Sequence, residues 1–192
     1  HLKNDASVLI GTSEQAIGPM LKDETLDGSK LPRRYLGFSP CYRREVGGYG
    51  RDTKGLYRVH EFFKVEQFII CKNYYAESEK LHQELLANSE ALVQGLKIPY
   101  QVIEIATGDM GAGKYRMYDI ESWMPSRNAY GETHSCSNLG EWQARRLNIR
   151  YKSKSGEIQH VHTLNNTAIA FPRILIPLME LNQNAEGKIV GF

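Results

Sequence analysis

The chemistry-bearing residues of this chain crowd between positions 33 and 66. Between Arg33 and Arg58 seven cations, Arg33, Arg34, Arg43, Arg44, Arg51, Lys54 and Arg58, stand against only Glu45 and Asp52. A field of that sign suits an anionic ligand such as a polyphosphate or RNA, and it equally suits a solvated basic face. Spacing adds to charge. In extended chain, side chains alternate faces, so Arg43 and Glu45 point together while Arg44 points away. By the same rule Arg58, His60, Phe62, Lys64 and Glu66 share one face. Cation, aromatic, cation and carboxylate in alternation make a poor core and a good platform. A ring stacks a nucleobase for roughly 1–3 kcal/mol, arginine forks onto phosphate, and a carboxylate takes an ammonium. At ~3.3 Å per residue, Arg58 and Phe62 are about 13 Å apart, compatible with the phosphate chain and base of one nucleotide. A solvated sheet face would show the same alternation.

Other motifs carry less. GDMGAGKY (108–115) satisfies Gly-x-x-x-x-Gly-Lys, the phosphate-cradling pattern. Tyr115, however, replaces the Ser/Thr that would meet magnesium, and YRMYDIESW after it reads as a strand where a helix N-terminus is required. His160 and His162 sit in the alternating stretch IQHVHTL and read as a polar strand face rather than metal ligands. Cys41, Cys71 and Cys136 are an odd, scattered set without a CxxC pair, which argues against a disulfide scaffold or structural zinc and fits a reducing cytoplasm.

The elements that must position these residues follow from pattern. Thr12 or Ser13 caps a short helix through SEQAIGPMLKD. Residues 35–46 and 57–71 are rich in aromatic and β-branched residues and read as two strands. They are joined by GGYGRDTKG, so the simplest pairing is an antiparallel hairpin with a long, functional loop. Residues 74–95 form the clearest helix, with Leu81, Leu85, Leu92 and Leu96 on one face and Gly95 and Pro99 ending it. Period two returns at 100–106, 115–123, 147–152 and 158–164. The final AIAFPRILIPLMELNQN reads as a buried helix that Pro172 and Pro177 start or kink. Many strands with few helices between them give an α+β fold, a mainly antiparallel sheet backed by helices.

Bulk properties agree. The chain has 192 residues, 41% hydrophobic and 24% charged, with a net charge of +2, which suits one folded domain and excludes global disorder. No apolar run approaches the ~20 residues of a membrane span. HLKNDASVLIG lacks a signal peptide's features, and the missing initial Met marks the expectation of a piece of a longer protein.

Taken together, LIGTSEQAI (9–17), YRREVGGYGRDTKGLYRVHEFFKVE (42–66), YDIESWMPSRNAYGETHSCSNLGEWQARRLNIRY (118–151) and HTLNNTAIAFPRILIPLMELNQ (162–183) make the chain recognisable. It resembles, over nearly its whole length, the catalytic core of the seryl-tRNA synthetases, a class II aminoacyl-tRNA synthetase family. The resemblance implies a class II antiparallel sheet flanked by helices. It also implies a two-step reaction: serine and ATP give seryl-adenylate and pyrophosphate, and the seryl group then passes to the 3' end of tRNA(Ser). Arg43 and Arg173 would be the catalytic arginines, Arg43 bridging the α-phosphate and the serine carboxylate and Arg173 closing over the nucleotide from the other side. Glu45 would read the adenine amino group, Phe62 stack the adenine and Arg58 contact the γ-phosphate, with Arg44, Thr133 and His134 also at the ATP. Glu132 and Ser135 would ligate the Mg2+ that bridges phosphates. Thr12, Ser13 and Glu14 would line the amino-acid pocket, where Glu66 and Thr167 hold the serine ammonium and hydroxyl. The loop around Arg51 resembles one that contacts ATP and the tRNA acceptor end.

Departures from the family pattern are local: Asn166-Thr167-Ala168 for the more usual Gly-Ser-Gly, Pro172 before the closing Arg, and Gly131, Thr133 and His134 around Glu132. The resemblance further implies that residues 1–192 are one incomplete core domain. The tRNA-gripping helical arm and the first class II motif, which builds the family's homodimer interface, are expected upstream. Two rival expectations are a synthetase-like paralogue that loads a carrier protein and a non-catalytic paralogue that binds nucleotide or RNA.

Overall fold

The computed structural model describes residues 6–45 and 55–191. Its main feature is a six-stranded antiparallel sheet built from β2 (Arg33–Tyr42), β3 (Glu61–Cys71), β4 (Tyr100–Glu104), β5 (Arg116–Met124), β6 (Ala129–Asn138) and β9 (His162–Phe171), in the order β2-β3-β9-β6-β5-β4. A smaller sheet joins β1 (Thr25–Asp27), β7 (Arg150–Lys152) and β8 (Ile158–His160) in the order β1-β7-β8. Among the described residues four α-helices flank these sheets: α1 (Glu14–Ile17), α2 (Tyr75–Gly95), α3 (Trp142–Leu147) and α4 (Leu175–Leu181). This is the α+β, mainly antiparallel architecture that the strand pattern predicts. No helix among the described residues is long and apolar enough to cross a membrane.

β2 and β3 pair as the expected hairpin, with Gly37 opposite Glu66 and Cys41 opposite Phe62. The strands are shorter than predicted: β2 stops at Tyr42 and β3 starts at Glu61, so Arg43–Glu45 and Arg58–His60 lie in the connection. Arg51, placed in that connection by sequence, lies outside the described residues.

α2 spans the predicted range, but its buried stripe is Ser78, Leu81, His82, Leu85, Leu86, Ser89 and Val93. Leu92 is 43% exposed and off the stripe. The stripe covers one face of the main sheet, where Ile69, Ile120, Cys136 and Leu164 complete the larger apolar cluster. Ser89 ties the layers together, its hydroxyl donating to the Thr167 carbonyl at 2.8 Å and accepting from Asn166 Nδ2 at 2.8 Å. A second cluster gathers Phe68 and Ile70 with Ile17, Leu26, Ala144 and Ile149, beneath α1, α3 and the small sheet.

The structure departs from the sequence expectations at several places. β6, AYGETHSCSN, carries almost no hydrophobic alternation. It is a strand because β5 and β9 flank it and accept its backbone bonds, so tertiary pairing overrides a polar pattern. The stretch 158–164 is two strands in two sheets, broken at Val161, and His162 is buried against Ser78 and Tyr75. The last element is strand to Phe171, and the helix begins only after Pro172. The predicted N-terminal helix is also brief: α1 gives way at Gly18–Leu21 to a 3-10 turn containing Pro19.

Candidate active site

The face of the main sheet away from α2 opens into a cleft of about 330 Å³. Two β-bulges shape its floor. On β6, Thr133 is an extra residue between pairs Ile120–His134 and Glu121–Glu132. On β9, Ala168 is extra between pairs Val65–Ile169 and Glu66–Thr167. Strict alternation would send Glu132 and Ser135 to opposite faces; one inserted residue brings both to the cleft. The bulges are held by side chains. Thr133 Oγ1 donates to the Ile120 carbonyl at 3.2 Å and lies 2.8 Å from Ser122 Oγ. His134 is buried, shares a 2.9 Å bond with Thr133 and bonds the backbone of Ala168. Burial pushes its imidazole down to about 4, so it is neutral near pH 7 and links one bulge to the other.

The cleft brings together most of the residues singled out from sequence. Thr12, Glu14, Arg43, Glu45, Arg58, Phe62, Glu66, Glu132, Thr133, Ser135, Thr167 and Arg173 all line it. Three predicted residues do not bring their side chains to it. Arg44 is exposed and does not line the cleft. His134 turns toward the bulges. Ser13 is buried against β2, its hydroxyl donating to the Gly37 carbonyl at 3.4 Å. A Cβ at Gly37 would come within 2.7 Å of that hydroxyl, so glycine there is what lets α1 settle close to β2 and present Thr12 and Glu14.

At one end of the cleft the groups are cationic and aromatic. The Arg43 guanidinium lies 5.1 Å from the centre of the Phe62 ring and its Nε donates to the Gly11 carbonyl at 3.2 Å. Arg58 pairs with Glu45 at 2.6 Å. Arg173, at the turn between β9 and α4, donates to the carbonyls of Tyr57 and Glu132, both at 3.0 Å. Its guanidinium sits 4.4 Å from the centre of the Tyr57 ring, and Arg127 lies 4.3 Å from that ring. Tyr57, to which the motifs assign no role, thus anchors Arg173.

At the other end the groups are buried and acidic. Glu66 is 2% exposed and pairs with Lys64 at 2.7 Å; Thr167 Oγ1 reaches the same Glu66 oxygen at 3.5 Å. Burial pushes the Glu66 carboxyl above its ordinary range, Lys64 and Arg43 oppose that, and Glu14 reinforces it. Glu14 is itself held, accepting from Asn165 Nδ2 at 2.7 Å and from Gln143 Nε2. Asn165 is a cleft residue with no role in the sequence reading, and Lys64 figures there only as a cation of the platform, with no ligand assigned to it. Strand periodicity signals both, since Lys64 shares a face with Phe62 and Glu66, and Asn165 with Thr167.

Glu132 and Ser135 offer two oxygens to the cleft, with Asp119 opposite Ser135 and Glu121 opposite Glu132 on β5. Burial and the Glu132 charge push Asp119 up to about 7, while Arg173 Nη1 lies 3.6 Å from Glu132 Oε2. One or two carboxylate oxygens completed by substrate phosphates and water suit Mg2+, which seldom takes an all-protein cage. No group of three or more His, Cys, Asp or Glu side chains among the described residues forms such a cage. The glycine-rich 108–115 segment is a loop leading into β5, not a phosphate loop. Gly113 there has φ +86° and no room for a Cβ against Trp142, and Lys114 reaches the cleft wall beside Met117.

Known proteins match this arrangement. A family model described as tRNA synthetase class II core domain (G, H, P, S and T) matches residues 2–182. A Serine--tRNA ligase of Deinococcus radiodurans is 52% identical over 188 residues, covering 98% of this chain and 44% of that protein. Among solved structures, a seryl-tRNA synthetase from Pyrococcus horikoshii complexed with ATP superposes with a TM-score of 0.92 at 45% identity, covering 97% of this chain and 42% of that one. A cytoplasmic Serine-tRNA ligase from Naegleria fowleri in complex with AMP gives 0.90 at 39% identity, covering 97% and 45%. The chain therefore spans under half the length of these relatives, and with its fold, its cleft and a family match over most of its residues it belongs to the class II tRNA synthetase core domain family.

Proposed function

We propose that this chain is the catalytic core of a serine–tRNA ligase, which joins L-serine to ATP as seryl-adenylate and then passes the seryl group to the 3' end of tRNA(Ser). The observation that carries the reading is the meeting of Arg43 and Arg173, from opposite ends of the chain, in one cleft that also contains the buried Glu66. The relatives named as serine--tRNA ligases, one of them complexed with ATP, support it.

Adenylate formation is an in-line attack by a carboxylate that is already a nucleophile, so no Ser/His/Asp device is needed. The protein must hold two anions together and absorb charge at the α-phosphorus as pyrophosphate leaves. In this reading Arg43 spans the amino-acid carboxylate and the α-phosphate. Arg173, held by the carbonyls of Tyr57 and Glu132, closes on the nucleotide over Phe62. Arg58 exchanges its Glu45 partner for the γ-phosphate, which frees Glu45 for the adenine amino group. Glu132 and Ser135 are the residues that would hold Mg2+, which when bound would supply charge neutralisation at the phosphates. Glu66 takes the serine ammonium and Thr167 its hydroxyl, and Thr12 and Glu14 close the pocket. A buried site built to bond a hydroxyl rejects an analogue lacking it by about 10⁴–10⁵, which excludes alanine, while threonine would have to be excluded by bulk. The same resemblance implies a cytoplasmic homodimer in which the tRNA acceptor end enters this cleft.

The test is ATP–pyrophosphate exchange by the full-length protein with serine, alanine or threonine. Exchange with serine alone, followed by charging of tRNA(Ser), is expected. Exchange without charging would favour the carrier-protein alternative, and nucleotide binding without exchange would favour a non-catalytic paralogue.

A further inference from the structure

Lys64 and Glu66 form a buried ion pair on the floor of the cleft, and its geometry is lopsided. Lys64 is 7% exposed, and its ammonium lies 2.7 Å from Oε2 of Glu66. Among the described residues the other hydrogen bond to this carboxylate, from Thr167 Oγ1, also falls on Oε2. Oε1 is thus the oxygen left to a ligand. A lysine this deeply buried needs a counter-charge, and a glutamate buried beside it will not stay an anion unaided. We propose that Lys64 is a positioning residue for the amino-acid substrate: its ammonium clamps Oε2 so that Glu66 meets the substrate's ammonium as an anion, through Oε1. This rests on the reading of Glu66 as the serine-ammonium group.

The surroundings support the need for such a clamp. Around Glu66 stand Glu14 of α1, which repels its charge, and Arg43 after β2, which attracts it. Cys136 of β6 has its thiol held far above its usual range by burial, and so is neutral. On β3 itself there is Lys64, and Thr167 of β9 carries no charge. Arg43 is committed to the Gly11 carbonyl and the Phe62 ring, which leaves Lys64 as the cation bonded to the carboxylate.

The consequence is a pH signature. With Lys64 made neutral, burial and Glu14 hold the Glu66 proton on to higher pH. The anionic fraction then falls about tenfold for each pH unit below the new midpoint. The experiment is serine-dependent ATP–pyrophosphate exchange by the full-length protein, wild type against Lys64→Met and Lys64→Arg, from pH 6.5 to 9. For Lys64→Met the serine KM relative to wild type rises at least about tenfold at pH 6.5 and shrinks steadily toward pH 9, while the ATP KM changes less than about threefold. For Lys64→Arg, which keeps the charge, it stays within about threefold at every pH. A ratio for Lys64→Met that is flat with pH, or an unchanged serine KM, overturns the proposal. If Lys64→Met does not fold, Lys64→Arg decides alone: a tenfold loss of serine affinity despite the retained charge overturns it. Absence of serine-dependent exchange in wild type overturns the functional reading itself, a result distinct from a wild type that works and a Lys64→Met that behaves like it.

Discussion

One face of β3 behaves in two ways along its length. Its first half presents Phe62, Lys64 and Glu66 to the cleft; its second half presents Phe68 and Ile70 to an apolar cluster. The backbone is continuous and the pairing to β2 is in register throughout, so the difference lies in what covers each half. α1, α3 and the small sheet bury Phe68 completely, with Gly18 of the turn after α1 packed against its ring. Among the described residues no helix packs over the first half as α1 and α3 do over the second, and its charged residues satisfy one another and line the space a ligand would fill. Lys64 and Glu66 are nevertheless nearly as buried as Phe68. The site is thus set by how burial is satisfied, by ion pairing in one half and by apolar packing in the other, and not by exposure.

Two phenylalanines on that face provide the sharpest way to break this contrast. Phe68→Ala should cost about 3–5 kcal/mol of stability, read by denaturant unfolding, because it empties a closed apolar site. A loss below about 1 kcal/mol would show that the second half is not a core. Phe62→Ala should leave stability within about 1 kcal/mol and raise the ATP KM by an amount matching roughly 1–3 kcal/mol of lost stacking. The reverse pattern, a destabilised protein that binds ATP normally, would mean that Phe62 packs rather than stacks.

Much of this was legible beforehand, and the exceptions have physical causes. The hairpin, α2 and the platform of Phe62, Lys64 and Glu66 follow from period two and period 3.6, because both halves of β3 obey the same alternation. β6 was not legible: its residues are polar on both faces, since one face lines the cleft and the other joins hydrogen bonds beneath α2, such as Asn138 Nδ2 to Ser78 Oγ at 3.3 Å. Glu132 and Ser135 were named through family likeness, yet strict alternation would have separated them. Only the bulge at Thr133 reconciles the two, and nothing in the spacing announces it. His134 shows the cost of carrying a motif over whole: it sits within the matched segment, but its side chain serves the bulges. Tyr57 escaped because its role is to hold Arg173, a contact between segments far apart in sequence.

The central claim is that Arg43 and Arg173 act on one triphosphate. A double-mutant cycle on serine-dependent ATP–pyrophosphate exchange by the full-length protein tests it most directly. Arg43→Ala and Arg173→Ala should each lower the rate by about 10²–10³, and the double variant should fall little further than the worse single one, since groups acting as a unit are not additive. A double variant whose loss equals the product of the two single losses would mean that the arginines work independently, and would contradict the account.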